Sequence, residues 1–173
     1  MILVTIGTSE PFDRLLRALD NLSSEEELIV QAGRSSVRPV AARCVDFLEF
    51  DELVEQVRRA RVVVTHAGAG TVLMVLANGK VPVVVPRLAR FGEAVDDHQV
   101  PFGRRFAEQG LVVLVEDPDG LREAIARADG TAPVKPLAPD GQLAHELRGY
   151  FAEQIGPPAE RDAAAMRVEA ESR

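Results

Sequence analysis

The stretch RVVVTHAGAGTVLMVLANGKVPVVVP, residues 61–86, contains two short apolar runs separated by a segment with helical spacing. The runs Val62-Val63-Val64 and Val83-Val84-Val85 are apolar at every position, which is typical of parallel strands covered on both faces. Residues 71–78 place apolar side chains at the spacing of a helix. Strand, helix and strand in this order predict a βαβ unit.

The same alternation extends over most of the chain. The predicted strands cover residues 2–6, 27–31, 43–47, 61–65, 81–85 and 111–115, and the predicted helices cover residues 12–22, 51–59, 71–78, 97–109 and 118–127. This order predicts an α/β fold with a doubly wound, Rossmann-like parallel sheet over residues 1–130. Residues 131–173 are richer in proline, alanine and glutamate, and predict a tail with one short helix, Gln142–Ile155, and disorder after Pro158.

Composition limits the classes of function. A chain of 173 residues with 46% hydrophobic residues is sized for one core. A net charge of -7 argues against a nucleic-acid partner, since phosphate backbones need clustered Lys and Arg. Cys44 is the only cysteine, which excludes an internal disulfide and favours a reducing compartment. No apolar run approaches the roughly 20 residues of a membrane-spanning helix.

Two common nucleotide motifs are missing at the ends of the predicted strands, where such sheets bind ligands. The loop after the first strand, Gly7 to Pro11, has one glycine and lacks the G-x-G-x-x-G pattern of dinucleotide binding. Gly79-Lys80 lacks both the earlier glycine and the following hydroxyl of a phosphate-binding P-loop. NAD and P-loop nucleotides are therefore not expected ligands.

The junction His66-Ala67-Gly68-Ala69-Gly70-Thr71 leads from a buried strand into a helix. Glycines let backbone N–H groups approach a phosphate, and the first helical turn has unpaired N–H groups and the positive end of the helix dipole. Thr71 adds a hydroxyl, and His66 could donate an imidazole N–H. The alternative is a tight turn in which Thr71 is the N-cap and His66 is a partly buried histidine with satisfied hydrogen bonds.

Several ordered motifs carry a family resemblance. The run from Thr65 to Pro86, followed by Asp97-His98-Gln99, resembles the nucleotide-sugar-binding, C-terminal half of a GT-B glycosyltransferase of family 28. The similarity covers roughly residues 1–125 and includes Gly7-Thr8 and Gln31-Ala32-Gly33. The chain is similar especially to small donor-binding subunits of two-chain enzymes, namely the dolichol-linked N-acetylglucosamine transferase and bacterial exopolysaccharide glycosyltransferases.

The resemblance implies a role for each matching position. It implies that the diphosphate of a UDP-sugar is held by Gly68, Ala69, Gly70 and Thr71 with His66 behind them. His66 and Thr71 would then stabilise the leaving group. Residues 47–53 would form the uracil pocket. The resemblance further implies that Gly7 and Thr8 line the cleft and that His98 and Gln99 touch hydroxyls of the sugar, which glucose, galactose, glucuronic acid or N-acetylglucosamine could supply. No metal or other cofactor is implied.

Three further features favour a structural role. Met74 stands where relatives carry a ribose-binding glutamate, and methionine cannot accept those hydrogen bonds, so it is interpreted as core. Asp117-Pro118-Asp119 matches a metal-binding D-x-D, but it is interpreted as a helix N-cap with proline at the first helical position. The charged loop after Pro86 is interpreted as solvated, with Arg87 or Arg90 as less favoured candidates for an anionic group.

The resemblance also implies a partner. A GT-B enzyme places the donor in one half and the acceptor in the other, which usually supplies the catalytic base. We therefore expect the donor-binding subunit of a two-chain, inverting, UDP-sugar-dependent glycosyltransferase, with a membrane-anchored partner that binds a lipid-linked acceptor in exopolysaccharide synthesis. The chain itself would be cytoplasmic, at the inner face of the membrane. The alternatives are a non-catalytic nucleotide-sugar-binding protein and a homo-oligomeric enzyme with a soluble acceptor.

Overall fold

One parallel sheet flanked by helices organises the chain. The computed structural model describes residues 1–22 and 26–129, which lie in one compact unit. The strands are β1 (Ile2–Thr5), β2 (Leu28–Gln31), β3 (Ala42–Val45), β4 (Val62–His66), β5 (Val83–Val85) and β6 (Val113–Leu114). The α-helices are α1 (Asp13–Leu19), α2 (Phe50–Arg59), α3 (Ala69–Ala77), α4 (Gln99–Glu108) and α5 (Leu121–Asp129), and two 3-10 helices span Ala89–Phe91 and Pro118–Gly120.

The sheet confirms the predicted fold class. Its strand order is β3-β2-β1-β4-β5-β6, and every neighbouring pair is parallel. Most strands are shorter than predicted, above all β6, where only Val113–Leu114 of the predicted 111–115 pairs with β5, whereas α2 and α3 are each one residue longer than predicted. The predicted helix 118–127 is divided into a 3-10 turn and α5.

The core lies on both faces of the sheet, as the uninterrupted apolar runs predict. Ile2 and Val4 of β1 pack on one face with apolar residues of α1 and α5. Leu3, between them, points to the opposite face, where it packs with Val57 of α2 and Val75 of α3. Alternate residues of one strand therefore enter different cores, so neither face can be polar.

This topology decides where a ligand can bind. The order of strands reverses between β1 and β4, and the loops that follow these two strands separate there at the carboxyl edge of the sheet. The loop after β1 contains Gly7, and β4 leads into Gly68 and α3. The fold thus brings two of the predicted donor-binding segments to one crevice.

Two sequence predictions concern other parts of the chain. The predicted tail 131–173, including the helix Gln142–Ile155, lies outside the described residues. None of the helices within residues 1–22 and 26–129 is long and apolar enough to cross a bilayer.

Candidate functional site

The first turn of α3 is open toward solvent. The helix begins at Ala69, its N-cap is Gly68, and no side chain caps it. The first backbone hydrogen bond of the helix runs from the N–H of Val72 to the carbonyl of Gly68 at 3.0 Å. The N–H groups of residues 69–71 come before this first donor, so they have no partner within the helix and point along its axis. Thr71 is the third helical residue, so the alternative that made it the N-cap is wrong; the chain has already turned at Gly68.

Gly70 leaves free space in front of that turn. A Cβ atom placed on Gly70 would meet no atom within 4 Å. The residue is exposed, although it follows the buried residues of β4 by only a few positions. The volume beside the first-turn N–H groups is therefore available to a ligand.

Two other glycines enclose the ring of His66. A Cβ atom on Gly68 would lie 2.2 Å from His66 Nε2, and one on Gly7 would lie 3.0 Å from His66 Cε1. Neither position can carry a side chain without moving the ring. The predicted site residues His66, Gly68 and Gly7 therefore form one packed cluster at the switch point between β1 and β4.

Hydrogen bonds orient this imidazole. The hydroxyl of Thr65 donates to the carbonyl of Thr5 at 2.8 Å, and its oxygen lies 3.4 Å from His66 Nδ1. The Thr65 hydroxyl hydrogen is already donated to Thr5, so the Thr65 oxygen faces His66 Nδ1 as an acceptor. This favours the tautomer with hydrogen on Nδ1 and leaves a lone pair on Nε2, the atom that faces Gly68.

The same enclosure keeps His66 neutral. Burial of the ring, with a smaller effect of the positive charge on Arg87, lowers the pKa of His66 from 6.5 to about 4, against a raising effect of the Thr5 carbonyl. The first turn of α3 contributes no acidic residue that would oppose this shift. At neutral pH the ring therefore presents Nε2 as an acceptor, whereas the sequence suggested a donated N–H.

We expect Gly68→Ala to displace His66 and to destabilise the chain by about 1 kcal/mol, because the new methyl group overlaps the ring. Urea unfolding measures the change. Gly70→Ala is the matched control: its methyl group enters open space, and the loss of a helical glycine should leave stability equal or increase it by up to about 1 kcal/mol. Equal unfolding free energies for the two variants would contradict the contact with His66.

The loop after β5 is solvated only in part: Arg90 and Asp96 are exposed as predicted, but two other charged residues of the loop are not. Arg87 and Glu93 are buried, at 4% and 5% exposure. Glu93 accepts two bonds from the Arg14 guanidinium, both at 2.9 Å, and one from the N–H of Leu88 at 3.0 Å. Arg87 is committed to backbone carbonyls and is not available to a ligand as a free cation. Sequence reasoning missed this network because its members are distant along the chain.

His98 and Gln99 stand at the start of α4 in different environments. Gln99 is buried, and its side-chain oxygen accepts the N–H of Arg87 at 3.0 Å. His98 is exposed, and its Nδ1 makes a short contact with Asp96, which also accepts the His98 backbone N–H. These bonds from His98 hold the pKa of Asp96 below its usual value. Gln99 thus has a structural partner already, and His98 alone of the pair projects into solvent.

The remaining candidates lie at the same edge or farther away. Thr8 is exposed in the loop after β1. Phe47 and Phe50, in the segment predicted to hold uracil, are 58% and 68% exposed. Met74 is partly buried and packs against the core, as interpreted from the sequence. Asp117 accepts the N–H of Asp119 at 3.1 Å, with Pro118 at the first position of the 3-10 turn, which confirms the capping interpretation.

Comparison with known proteins identifies the family. Residues 1–137 match the glycosyltransferase family 28 C-terminal domain, and the chain belongs to this family. The UDP-N-acetylglucosamine transferase subunit ALG13 of Yarrowia lipolytica is 28% identical over 138 residues, which cover 70% of this chain and 67% of that protein. The protein of the same name from Homo sapiens is 31% identical over 146 residues, covering 75% of this chain and 12% of that protein.

A bacterial relative acts in another setting. The UDP-N-acetylglucosamine–N-acetylmuramyl-(pentapeptide) pyrophosphoryl-undecaprenol N-acetylglucosamine transferase of Burkholderia thailandensis is 31% identical over 127 residues, covering 73% of this chain and 29% of that protein. The chain therefore spans about two thirds of one relative and less than a third of the others.

Solved structures agree on the fold. The calicheamicin glycosyltransferase CalG4 superimposes with a TM-score of 0.55 at 22% identity, over 98% of this chain and 42% of that one. MurG of Acinetobacter baumannii gives a TM-score of 0.52 at 23% identity, over 72% of this chain and 40% of that one. These neighbours are GT-B glycosyltransferases, and the likeness extends to one part of each.

Proposed function

We propose that this chain is the donor-binding, catalytic subunit of an inverting UDP-sugar glycosyltransferase. The observation that carries the proposal is the open first turn of α3, where no side chain caps the helix and a Cβ atom on Gly70 would meet free space. Family membership over residues 1–137 and two relatives whose names specify UDP-N-acetylglucosamine support a UDP-sugar as the ligand.

In the proposed reaction the bond between the sugar C1 and the distal phosphate oxygen of UDP breaks as the acceptor oxygen bonds to C1. The acceptor proton passes to a base, and UDP leaves with the bonding electrons. The N–H groups of residues 69–71 and the hydroxyl of Thr71 would stabilise the negative charge that develops on the leaving oxygen. Such donors accelerate the reaction because they bind the developing charge more strongly than the ground state.

His66 would contribute in its charged form. Its Nε2 carries a lone pair while the ring is neutral, and a neighbouring diphosphate favours protonation of that nitrogen. Protonated His66 would then donate to the diphosphate from behind Gly68. Thr8 and His98 are exposed at the same edge of the sheet and would meet the sugar, and residues 47–53 would meet the uracil.

We further propose that the base, the acceptor site and the membrane anchor belong to a separate partner chain. The word subunit in the name of the Yarrowia relative supports a divided enzyme. A lipid-linked acceptor is supported by the Burkholderia relative, whose name specifies a pyrophosphoryl-undecaprenol substrate. Exopolysaccharide synthesis at the inner face of the membrane is the setting that the sequence resemblance supports.

Met74 favours one second candidate, a nucleotide-sugar-binding protein without transferase activity. A thioether packed against the core cannot replace a carboxylate that holds ribose hydroxyls. Adding the partner chain, a UDP-sugar and a lipid-linked acceptor separates the two: turnover supports the transferase, and donor binding without turnover supports the second candidate.

The primary test is calorimetric titration of the chain with UDP, beside ADP and NAD. We expect selective binding of UDP and at least a roughly tenfold weaker affinity in Gly70→Val, whose side chain fills the space beside the first-turn N–H groups. Ala77→Val, at the exposed far end of the same helix, is the control and should bind UDP normally. Equal affinity for UDP and ADP, or unchanged UDP affinity in Gly70→Val, would contradict the proposed site.

A further inference from the structure

Arg87 lies two residues after the end of β5 and is buried among backbone carbonyls. Its Nη2 donates to the carbonyls of Ile6 at 2.6 Å and Glu10 at 2.7 Å. Its Nη1 donates to the carbonyls of Pro11 at 2.7 Å and Glu93 at 3.2 Å. Three of these four carbonyls belong to the loop after β1, so one guanidinium holds both ends of that loop.

The segment between those ends is the part of the loop that borders His66. Gly7 has a φ of 73° and approaches the imidazole so closely that a Cβ atom would lie 3.0 Å from Cε1. Thr8 and Ser9 follow it and are exposed. The position of Gly7 and Thr8 in the crevice therefore depends on bonds made by a residue of the loop after β5.

Arg87 is itself fixed in place. Its backbone N–H donates to Gln99 Oε1 at 3.0 Å, and its guanidinium lies 4.9 Å from the centre of the Phe12 ring. Glu93 is locked by Arg14 through two bonds of 2.9 Å. A planar fork with several donors suits this task, and a lysine ammonium could not satisfy all four carbonyls in the same geometry.

The charge on Arg87 also remains unpaired. Among the ion pairs of the described residues, none joins its guanidinium to a carboxylate within 4.0 Å, so its positive charge lies beneath the loop without direct neutralisation. Glu10 and Glu93 are the nearby carboxylates that favour its charged form, and burial lowers its pKa. A buried cation below an anion-binding crevice adds a favourable potential for a phosphate.

We propose that Arg87 is a positioning residue of the donor site: it clamps the loop Ile6–Pro11 over His66 and places its positive charge beneath the diphosphate. This inference rests on the proposed function for the identity of the ligand. Gln99 acts through Arg87 in this arrangement, by holding its backbone.

The test compares Arg87→Gln and Arg87→Lys with Arg90→Gln in the full chain. Arg90 is an exposed arginine of the same loop and serves as the matched control for loss of charge. Three quantities are measured: the amide NMR shifts of residues 7–9, the pKa of His66 by NMR, and the affinity for UDP. Circular dichroism verifies folding.

In Arg87→Gln we expect altered amide shifts of residues 7–9, a raised His66 pKa, and UDP affinity weaker by about tenfold. In Arg87→Lys the charge remains, so the His66 pKa should stay low, while the loop amides shift and UDP affinity falls less. Arg90→Gln should change none of these. If Arg87 had only a structural role, Arg87→Gln and Arg87→Lys would not differ in the His66 pKa while both alter the loop amides.

Folded Arg87→Gln with unchanged loop amides or unchanged UDP affinity would overturn the inference. If Arg87→Gln does not fold, the amide shifts of residues 7–9 are measured in Arg87→Lys. Unchanged shifts overturn the clamp, and altered shifts support it. If the unmodified chain does not bind UDP, the proposed function fails, whereas the loop amides and the His66 pKa still decide the role of Arg87.

Discussion

Gly33→Ala is expected to destabilise the chain by about 3 kcal/mol, from a backbone clash and a strained conformation together. Gly33 has a φ of 51°, in the left-handed region, and a Cβ atom there would lie 2.4 Å from the carbonyl oxygen of Gly7. The neighbouring atom is backbone, so it cannot rotate away as a side chain would. Urea unfolding, analysed as a two-state transition, measures the loss of unfolding free energy.

Gly92→Ala separates the two causes. Gly92 has a φ of 68°, but a Cβ atom on it would meet nothing within 4 Å. We therefore expect Gly92→Ala to lower the unfolding free energy by only about 1 kcal/mol, the cost of the left-handed conformation. Equal losses in the two variants would mean that Gly33 does not approach Gly7.

The same contact links stability to the candidate site. Gly7 lies between Gly33 on one side and the ring of His66 on the other. A methyl group on Gly33 must push the Gly7 carbonyl away and so shift the loop that Arg87 holds. We expect folded molecules of Gly33→Ala to show displaced His66 signals in NMR spectra as well as reduced stability.

Acid is expected to destabilise the chain through His66 at a pH where carboxylates are still ionised. The folded pKa of about 4 lies below the unfolded value of 6.5, so the unfolded chain binds the proton first as the pH falls. Stability is therefore fully present above the unfolded value and is lost between about pH 6.5 and about pH 4. The linkage predicts a loss of about 2 kcal/mol between about pH 7.5 and about pH 5.

His66→Gln tests this prediction because it removes the titrating group and keeps a polar side chain. We expect its unfolding free energy to change by about 2 kcal/mol less than that of the unmodified chain over the same interval. Carboxylates contribute at lower pH: the bonds from Arg61 and the terminal amine hold the pKa of Glu26 at about 2, so its stabilisation is lost below the usual carboxyl range. The same pH dependence in both proteins would contradict a buried neutral His66.

The architecture could be predicted from the sequence. The apolar runs Val62–Val64 and Val83–Val85, with a helical segment between them, required a parallel strand pair covered on both faces, and the sheet has that pair. Family motifs located the segments His66–Thr71 and Gly7-Thr8, which the fold brings to one crevice. These signals are local, because strand burial and turn chemistry depend on neighbours along the chain.

The contacts that hold the candidate site could not be predicted from the sequence. The packing of Gly33 on Gly7, the enclosure of His66 by Gly7 and Gly68, and the Arg87 bonds to the loop after β1 join residues from different strands. The charges of Arg87 and Glu93 predicted a solvated loop, because sequence shows charge but not which carbonyls or counterions will surround it. A buried polar group is stable only when it is hydrogen-bonded. In this chain its hydrogen-bond partners come together when β1, β4 and β5 pair.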